Sequence, residues 1–190
     1  MQHHKIVILC GPSGSGKTTI TRHLLDINPI LAFSISATTR DKRGSEKDGK
    51  DYHFLSVNDF KNKIKEDAFV EYEEVYANLF YGTLKTELEH IWSQNKIPVL
   101  DIDVIGATNI KNNYASKALT IFVHPISIEN LKHRLHKRAT ESAESFAKRI
   151  HKAEEELMMA DTFDKIVYND DLDKATDQAN VFVNQYISQP

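Results

Sequence analysis

The segment Gly11-Pro12-Ser13-Gly14-Ser15-Gly16-Lys17-Thr18 follows the apolar run Ile6-Val7-Ile8-Leu9 and fills every fixed position of the pattern G-x-x-x-x-G-K-[ST]. The residue types explain the spacing. Three glycines let the backbone fold tightly enough for successive N–H groups to converge on phosphate oxygens, and the helix that follows adds its positive end. Lys17 supplies a mobile cation for the β and γ phosphates, and Thr18 offers a hydroxyl to Mg²⁺, an ion that keeps several waters and is shared with phosphates. With Thr19, the next residue of that helix, this stretch is the expected binding site of a nucleoside triphosphate.

A second group of residues suits a monophosphate. Arg40 and Arg43 can fork onto phosphate oxygens, while Tyr52 and Tyr81 can each donate a phenolic hydrogen bond. Taken singly, an Arg-x-x-Arg is most often surface and a tyrosine most often partly core. Their setting says more. The run Thr38-Thr39-Arg40-Asp41-Lys42-Arg43-Gly44-Ser45-Glu46-Lys47-Asp48-Gly49-Lys50-Asp51-Tyr52-His53-Phe54-Leu55 resembles the signature of guanylate kinases, T-[ST]-R-x-x-[RK]-x-x-[DE]-x-x-G-x-x-Y-x-[FY], at every fixed place. Phe69-Val70-Glu71, Tyr81-Gly82-Thr83, Leu100-Asp101-Ile102-Asp103 and Asn169-Asp170-Asp171 extend the resemblance, in the family's order, over nearly the whole chain. Two loops depart from it, at Asp41-Lys42 and Ala77-Asn78-Leu79-Phe80, and both changes fall between the assigned contact residues.

The resemblance implies phosphoryl transfer from ATP to GMP, and to dGMP, with Mg²⁺. It places Arg40, Arg43, Tyr52 and Tyr81 on the GMP phosphate and Ser36, Glu71, Thr83 and Asp103 around the guanine. Arg138 and Arg149 match arginines that lie over the ATP phosphates when a lid closes, and Asn169 matches an adenine-side contact, although N-D-D is also a helix-capping sequence. Lys17, Arg43, Arg138 and Arg149 are thus the expected catalytic cations. Asp101 could hold Mg²⁺ through water, or equally orient Lys17 or an arginine.

Glu71 names the base on chemical grounds. An ionised carboxylate only accepts hydrogen bonds, and guanine presents two adjacent donors, N1–H and the 2-amino group. Adenine offers a lone pair at N1 and no 2-amino group, a mismatch that can cost orders of magnitude in kcat/KM. The competing reading places Glu71 in an exposed acidic run with Glu73 and Glu74; on a strand Glu71 and Glu73 would point the same way. A GMP phosphate is already an anionic nucleophile, so no general base is expected. In-line positioning and cancellation of charge on the transferred group are.

Composition narrows the alternatives. The chain has 190 residues, sized for one folding unit with insertions, and 24 basic against 27 acidic residues for a net charge of −3, which recommends neither nucleic acid nor a membrane surface. A lone cysteine, Cys10, rules out an intrachain disulfide and reads as a small core residue rather than a reactive thiol. With no leader or long apolar run near Met1, a cytoplasmic protein without an obligate protein partner is expected. The intact Lys17 and Thr18 argue against a guanylate-kinase-like scaffold module, whose phosphate loop is typically degraded.

The elements that must position these residues follow from periodicity. Strands at Ile6–Cys10, Ile97–Ile102, Leu119–Val123 and Lys165–Tyr168 alternate with helices at Thr18–Ile27, Ile105–Tyr114 and from Ser127, which predicts a parallel α/β sheet flanked by helices. A closing helix carries Leu172, Ala175, Ala179, Phe182 and Tyr186 on one face. Strand-like pieces at Tyr52–Leu55 and Phe69–Tyr76, with a helix bearing Val57, Phe60 and Ile64, predict an inserted mixed α/β lobe that holds GMP. Phe146, Ile150, Ala153 and Leu157 mark a long helix in a second, helical insertion, the lid. The expected division is a core of 1–33, 96–125 and 160–190, a GMP lobe of 34–95 and a lid of 126–159.

Overall fold

The computed structural model describes residues 4–136 and 143–189. Strand β1 (Ile6–Cys10) is buried along its whole length, as an unbroken apolar run must be when both faces of a parallel sheet are covered. Its side chains alternate. Val7 and Leu9 pack with Ile20 and Leu24 of α1 (Lys17–Ile27), while Ile6, Ile8 and Cys10 face the other way. Helix α1 stops at Asn28, the residue before Pro29, where a following proline disfavours the helical backbone.

The chain then forms β2 (Leu31–Phe33), β3 (Ala37–Thr38), β4 (His53–Phe54), α2 (Val57–Lys65), β5 (Phe69–Tyr76), β6 (Leu79–Leu84) and α3 (Lys85–Ser93). It continues through β7 (Ile97–Asp101), α4 (Val104–Tyr114), β8 (Ala118–His124), α5 (Ile128–His136), α6 (Ala143–Met158), β9 (Lys165–Tyr168) and α7 (Leu172–Ile187). The central sheet has the order β2-β7-β1-β8-β9, and every pairing in it is parallel. Helices α1 and α7 cover one face; α3 and α4 cover the other. The parallel α/β core expected from periodicity is therefore present.

Four elements, β2, β3, β6 and α3, carried too little pattern to be anticipated. Strand β2 has three residues at the sheet edge, and α3 begins after Leu84, which supplies no side-chain cap. In α7 the buried seam runs through Ala175, Ala179, Val183 and Tyr186, and Phe182 packs beside it. Leu172, expected on that face, sits in the first turn and is 42% exposed.

A second sheet, ordered β4-β3-β6-β5, is mixed: β3 runs parallel to β4 and antiparallel to β6. Three phenylalanines hold it to α2. The Phe60 ring stacks on Phe69 at 4.4 Å and on Phe80 at 5.2 Å between centroids, and the Ser56 hydroxyl caps α2 by accepting the Asp59 N–H. A further small cluster joins Leu131 of α5 to Ile150 and Ala153 of α6, with Ile128 and Phe146 against it. Arg138 lies outside the described residues.

Phe60 is wholly buried, so Phe60→Ala should destabilise the second sheet by about 3–5 kcal/mol. Amide hydrogen exchange is expected to accelerate in β5 and β6 while β1 and β8 keep their protection. Equal acceleration in both sheets would show that the aromatic cluster supports the whole molecule.

Candidate active site

The residues singled out in the sequence gather at the carboxyl ends of the parallel strands. After β1 the chain turns through Gly11 at φ 130° and Gly16 at φ 104°, backbone that side-chain-bearing residues rarely adopt. A Cβ on Gly11 would also stand 2.7 Å from the Val123 carbonyl oxygen, so the loop can lie this close to β8 only with glycine there. Gly16 is the N-cap of α1, which aims the helix's positive end at the loop.

Lys17 curls over that loop, its Nζ donating to the carbonyls of Gly11 at 2.7 Å and Pro12 at 3.2 Å. Thr18 Oγ1 donates to Asp101 Oδ2 at 2.6 Å. Asp101 thus engages the loop through Thr18, a partner not among those weighed from sequence, which brings two hard oxygen donors together. Arg149 arrives from α6 and donates from Nη2 to Ser13 Oγ at 2.8 Å. Asn169 is buried behind the loop, where Nδ2 donates to the Ser15 carbonyl at 2.7 Å and its N–H donates to the His124 carbonyl at 2.8 Å.

One cleft of about 550 Å³ joins this loop to the second sheet. Gly11, Ser13, Gly14, Gly16, Lys17, Thr18 and Thr19 line it on one side; Ser36, Arg40, Arg43, Tyr52, Glu71, Tyr81 and Asp103 line it on the other. Pro12, Ser15, Thr83 and Asn169 stand behind these walls, and Thr83 does so as the support of Glu71.

Arg40 is fixed before any ligand arrives. Its two terminal nitrogens donate to the Glu46 carboxylate at 2.6 and 2.7 Å, and the guanidinium lies 4.7 Å from the Tyr52 ring centroid. Glu46 Oε2 also accepts the Arg43 N–H at 2.8 Å. These bonds, the one from Arg40 first, pull the Glu46 carboxyl down to about 2. Glu46 fills the [DE] position of the quoted signature, so its presence was legible although its work was not.

Glu71 is the buried carboxylate of the cleft. Oε1 accepts the Thr83 hydroxyl at 2.7 Å, and Oε2 lies against α4, where a Cβ on Gly106 would come within 2.7 Å of it. Burial pushes this carboxyl up to about 7, against the pull of Thr83 and helped by the nearby Asp103 charge. Asp103 caps α4 by accepting the Gly106 N–H at 2.8 Å. Burial raises its carboxyl too, but hydrogen bonds from Glu73 and Gly106 and the Lys152 ammonium outweigh that and hold it below the ordinary range.

Glu73, Lys152 and Glu156 also line the cleft and were not singled out. Strand alternation had put Glu73 on the face of Glu71; nothing local announced the two residues of α6. Cys10 is wholly buried, with Sγ 3.7 Å from the Ile121 carbonyl, and desolvation pushes its thiol far up. It is a core residue.

Comparison with known proteins agrees with this architecture. The guanylate kinase family model matches residues 3–186. A guanylate kinase of Porphyromonas gingivalis is 45% identical over 97% of this chain and 99% of its own length. One of Salinibacter ruber is 45% identical over 99% and 100%. The crystal structure of guanylate kinase from Anaplasma phagocytophilum superimposes with a TM-score of 0.80 at 26% identity, covering 97% of this chain and 87% of that one.

The raised Glu71 carboxyl has a thermodynamic signature. The folded chain holds this proton more tightly than the unfolded chain, whose glutamate titrates near 4.5. The stability this confers is therefore present in full below about pH 4.5 and is lost as pH rises through about 7. Glu71→Gln removes the term, so thermal denaturation without nucleotide should show the variant gaining on the parent from pH 5 to pH 8, by up to about 3 kcal/mol. A gap independent of pH would mean that Glu71 is not the buried acid responsible.

Proposed function

The chain belongs to the guanylate kinase family, and from that premise we infer how its own residues transfer the terminal phosphoryl group of ATP to GMP. The observation that carries the reading is the single cleft in which the phosphate loop faces both the fixed Arg40 and the buried Glu71. We divide the chain accordingly into a core of 1–33, 96–125 and 160–190, an acceptor lobe of 34–95 and a lid of 126–159.

In this assignment the loop from Gly11 to Thr19 holds the ATP phosphates with its N–H groups and Lys17, and Asn169 keeps the loop in shape from behind. The Lys17 ammonium exchanges two carbonyl partners for phosphate oxygens and follows the charge on the group in transit. Arg149, already against Ser13, brings a second cation from the lid over the same phosphates. Arg40, Arg43, Tyr52 and Tyr81 take the GMP phosphate. Arg40 needs little ordering because Glu46 has already chosen its orientation.

Glu71 reads the base by accepting N1–H and the 2-amino group, with Ser36, Asp103 and Thr83 around it. Thr18 and Asp101 suit Mg²⁺, a hard cation that prefers oxygen and retains waters. Bound with ATP, the ion neutralises phosphate charge and helps fix the donor's geometry. No side chain need act as general base, since the attacking GMP oxygen is an anion; what the protein supplies is alignment, charge and exclusion of water. Among the described residues no helix is long and apolar enough to cross a membrane. We propose the cytoplasm, where both nucleotides occur, as the place of action, in purine nucleotide metabolism.

An acceptor screen with ATP and Mg²⁺ against GMP, dGMP, AMP, CMP and UMP tests the reading. GMP and dGMP should be phosphorylated and the others left, whereas activity on none would favour a binding module. Lys17→Ala is expected to fold normally and lose about 100-fold or more in kcat; near-normal ADP release would remove Lys17 from the chemistry.

Gly106→Ala tests the base pocket. Alanine favours a helix over glycine by about 1 kcal/mol, so the variant should fold well, yet its methyl group must push Glu71 aside. The GMP KM is expected to rise about tenfold or more, with the ATP KM within about twofold. Equal changes for the two substrates would contradict it.

A further inference from the structure

Lys152, a cleft-lining side chain of α6, reaches beyond its own helix to carboxylates of two other elements. Its Nζ lies 3.2 Å from Glu73 Oε1 on β5, 3.5 Å from Asp103 Oδ2 at the start of α4, and 3.8 Å from Glu156 Oε1 one turn along its own helix. These are the acceptor lobe, the core and the lid. The side chain is 29% exposed and its partners 20%, 27% and 8%, so the contacts are partly shielded from water and loss of the ammonium would leave the carboxylates poorly compensated.

Charge accounting shows what the ammonium does there. Glu71 and Glu73 from β5, Asp103 from α4 and Glu156 from α6 bring four carboxyl groups to one wall, and Lys17 from α1 is the other cation acting on Glu156. Burial and the neighbouring Asp103 push the Glu73 carboxyl upward, and the Lys152 ammonium opposes them. Removing the cation would leave the carboxylates of Glu73 and Asp103 without the ammonium that lies between them and fixes where each one points.

We propose that Lys152 is a positioning residue that couples purine capture to the placement of the lid. One ammonium ties α6 to Glu73 of the acceptor lobe and holds the Asp103 carboxylate in place for the guanine 2-amino group. The second half rests on GMP being the acceptor; the tie between lobe and lid does not. When a base engages Asp103, Lys152 keeps Glu73 and Glu156 as partners, so the lid stays anchored beside an occupied pocket.

The test uses Lys152→Met, which keeps the length and removes the charge, and Lys152→Arg, which keeps the charge. Without nucleotide, Lys152→Met should accelerate hydrogen exchange in β5 and α6 by about tenfold while β1 and β8 are unchanged, and Lys152→Arg should restore protection. Glu73→Gln should reproduce the acceleration, and Lys152→Met should add nothing to it. In steady-state assays Lys152→Met should raise the GMP KM about tenfold with the ATP KM within about twofold. Lys152→Arg should restore the GMP KM.

Unchanged exchange in β5 overturns the tie. An unchanged GMP KM, or equal losses for GMP and ATP, overturns the role in purine capture. If the parent protein itself fails to phosphorylate GMP, the functional reading falls and takes the purine half with it, and the exchange experiment alone then decides the tie.

Discussion

Burial of β1 on both faces is the constraint on which the cleft depends. Val7, Ile8 and Leu9 pair with Val99, Leu100 and Asp101 of β7 on one side and with Leu119, Thr120 and Ile121 of β8 on the other. Those registers bring the carboxyl ends of three strands level, so the loops leaving them open at one edge of the sheet. The phosphate loop follows β1, Asp101 ends β7 with Asp103 two residues on, and Val123 near the end of β8 supplies the carbonyl against which Gly11 packs. A slip of one residue in either pairing would turn each of these side chains to the opposite face of the sheet. Thr18 would then lose Asp101, and Gly11 would lose its seat beside Val123. Ligand sites in open parallel sheets lie at this edge for the same reason.

Charge is distributed in the cleft by kind of partner. The guanidinium that would meet phosphate is already paired outward with Glu46, and Lys17 rests on carbonyl dipoles rather than on a carboxylate. The carboxylates that would meet a base are set deeper, against Thr83, Gly106 and Lys152. Cations and acids are thus held apart by their own scaffolding and cannot collapse onto one another across the gap. Such collapse would bury both sets and close the pocket, and the separation keeps each set ready for the ligand group of opposite character.

What could be read from the sequence follows the range of the interactions involved. The phosphate loop, β1, β5 and β9 are local: a motif, an apolar run and an alternation each lie within a dozen residues, and all were found with their bounds or nearly so. Glu46 sat in plain view in a signature but had no visible task, because its bond to Arg40 depends on how the loop between them folds. Lys152 and Glu73 are 79 positions apart, and no periodicity links them. Strand β2 was invisible for another reason. Its three residues take their structure from pairing with β7, not from a pattern of their own. Leu172 obeyed the helical period and still ended exposed, since a stripe predicts direction but not how far the neighbouring layer extends.

The base pocket shows why a specificity site tends to be a weak point in the free protein. Glu71 is desolvated with the Thr83 hydroxyl on Oε1 and α4 close beside Oε2, and its raised carboxyl reflects a burial that Thr83 does not offset. Phe69, Gly82 and α4 pack against the strand, so the carboxyl meets the cleft over only a small part of its surface. A ligand bearing two adjacent N–H donors supplies what the fold withholds. Part of its binding free energy is then the relief of a penalty already present, and a base lacking those donors leaves the penalty standing. The discrimination thus comes less from added attraction to guanine than from a deficit that only such an edge can fill. That deficit persists only because the central sheet and the aromatic cluster around Phe60 are stable enough to hold the pocket closed around it.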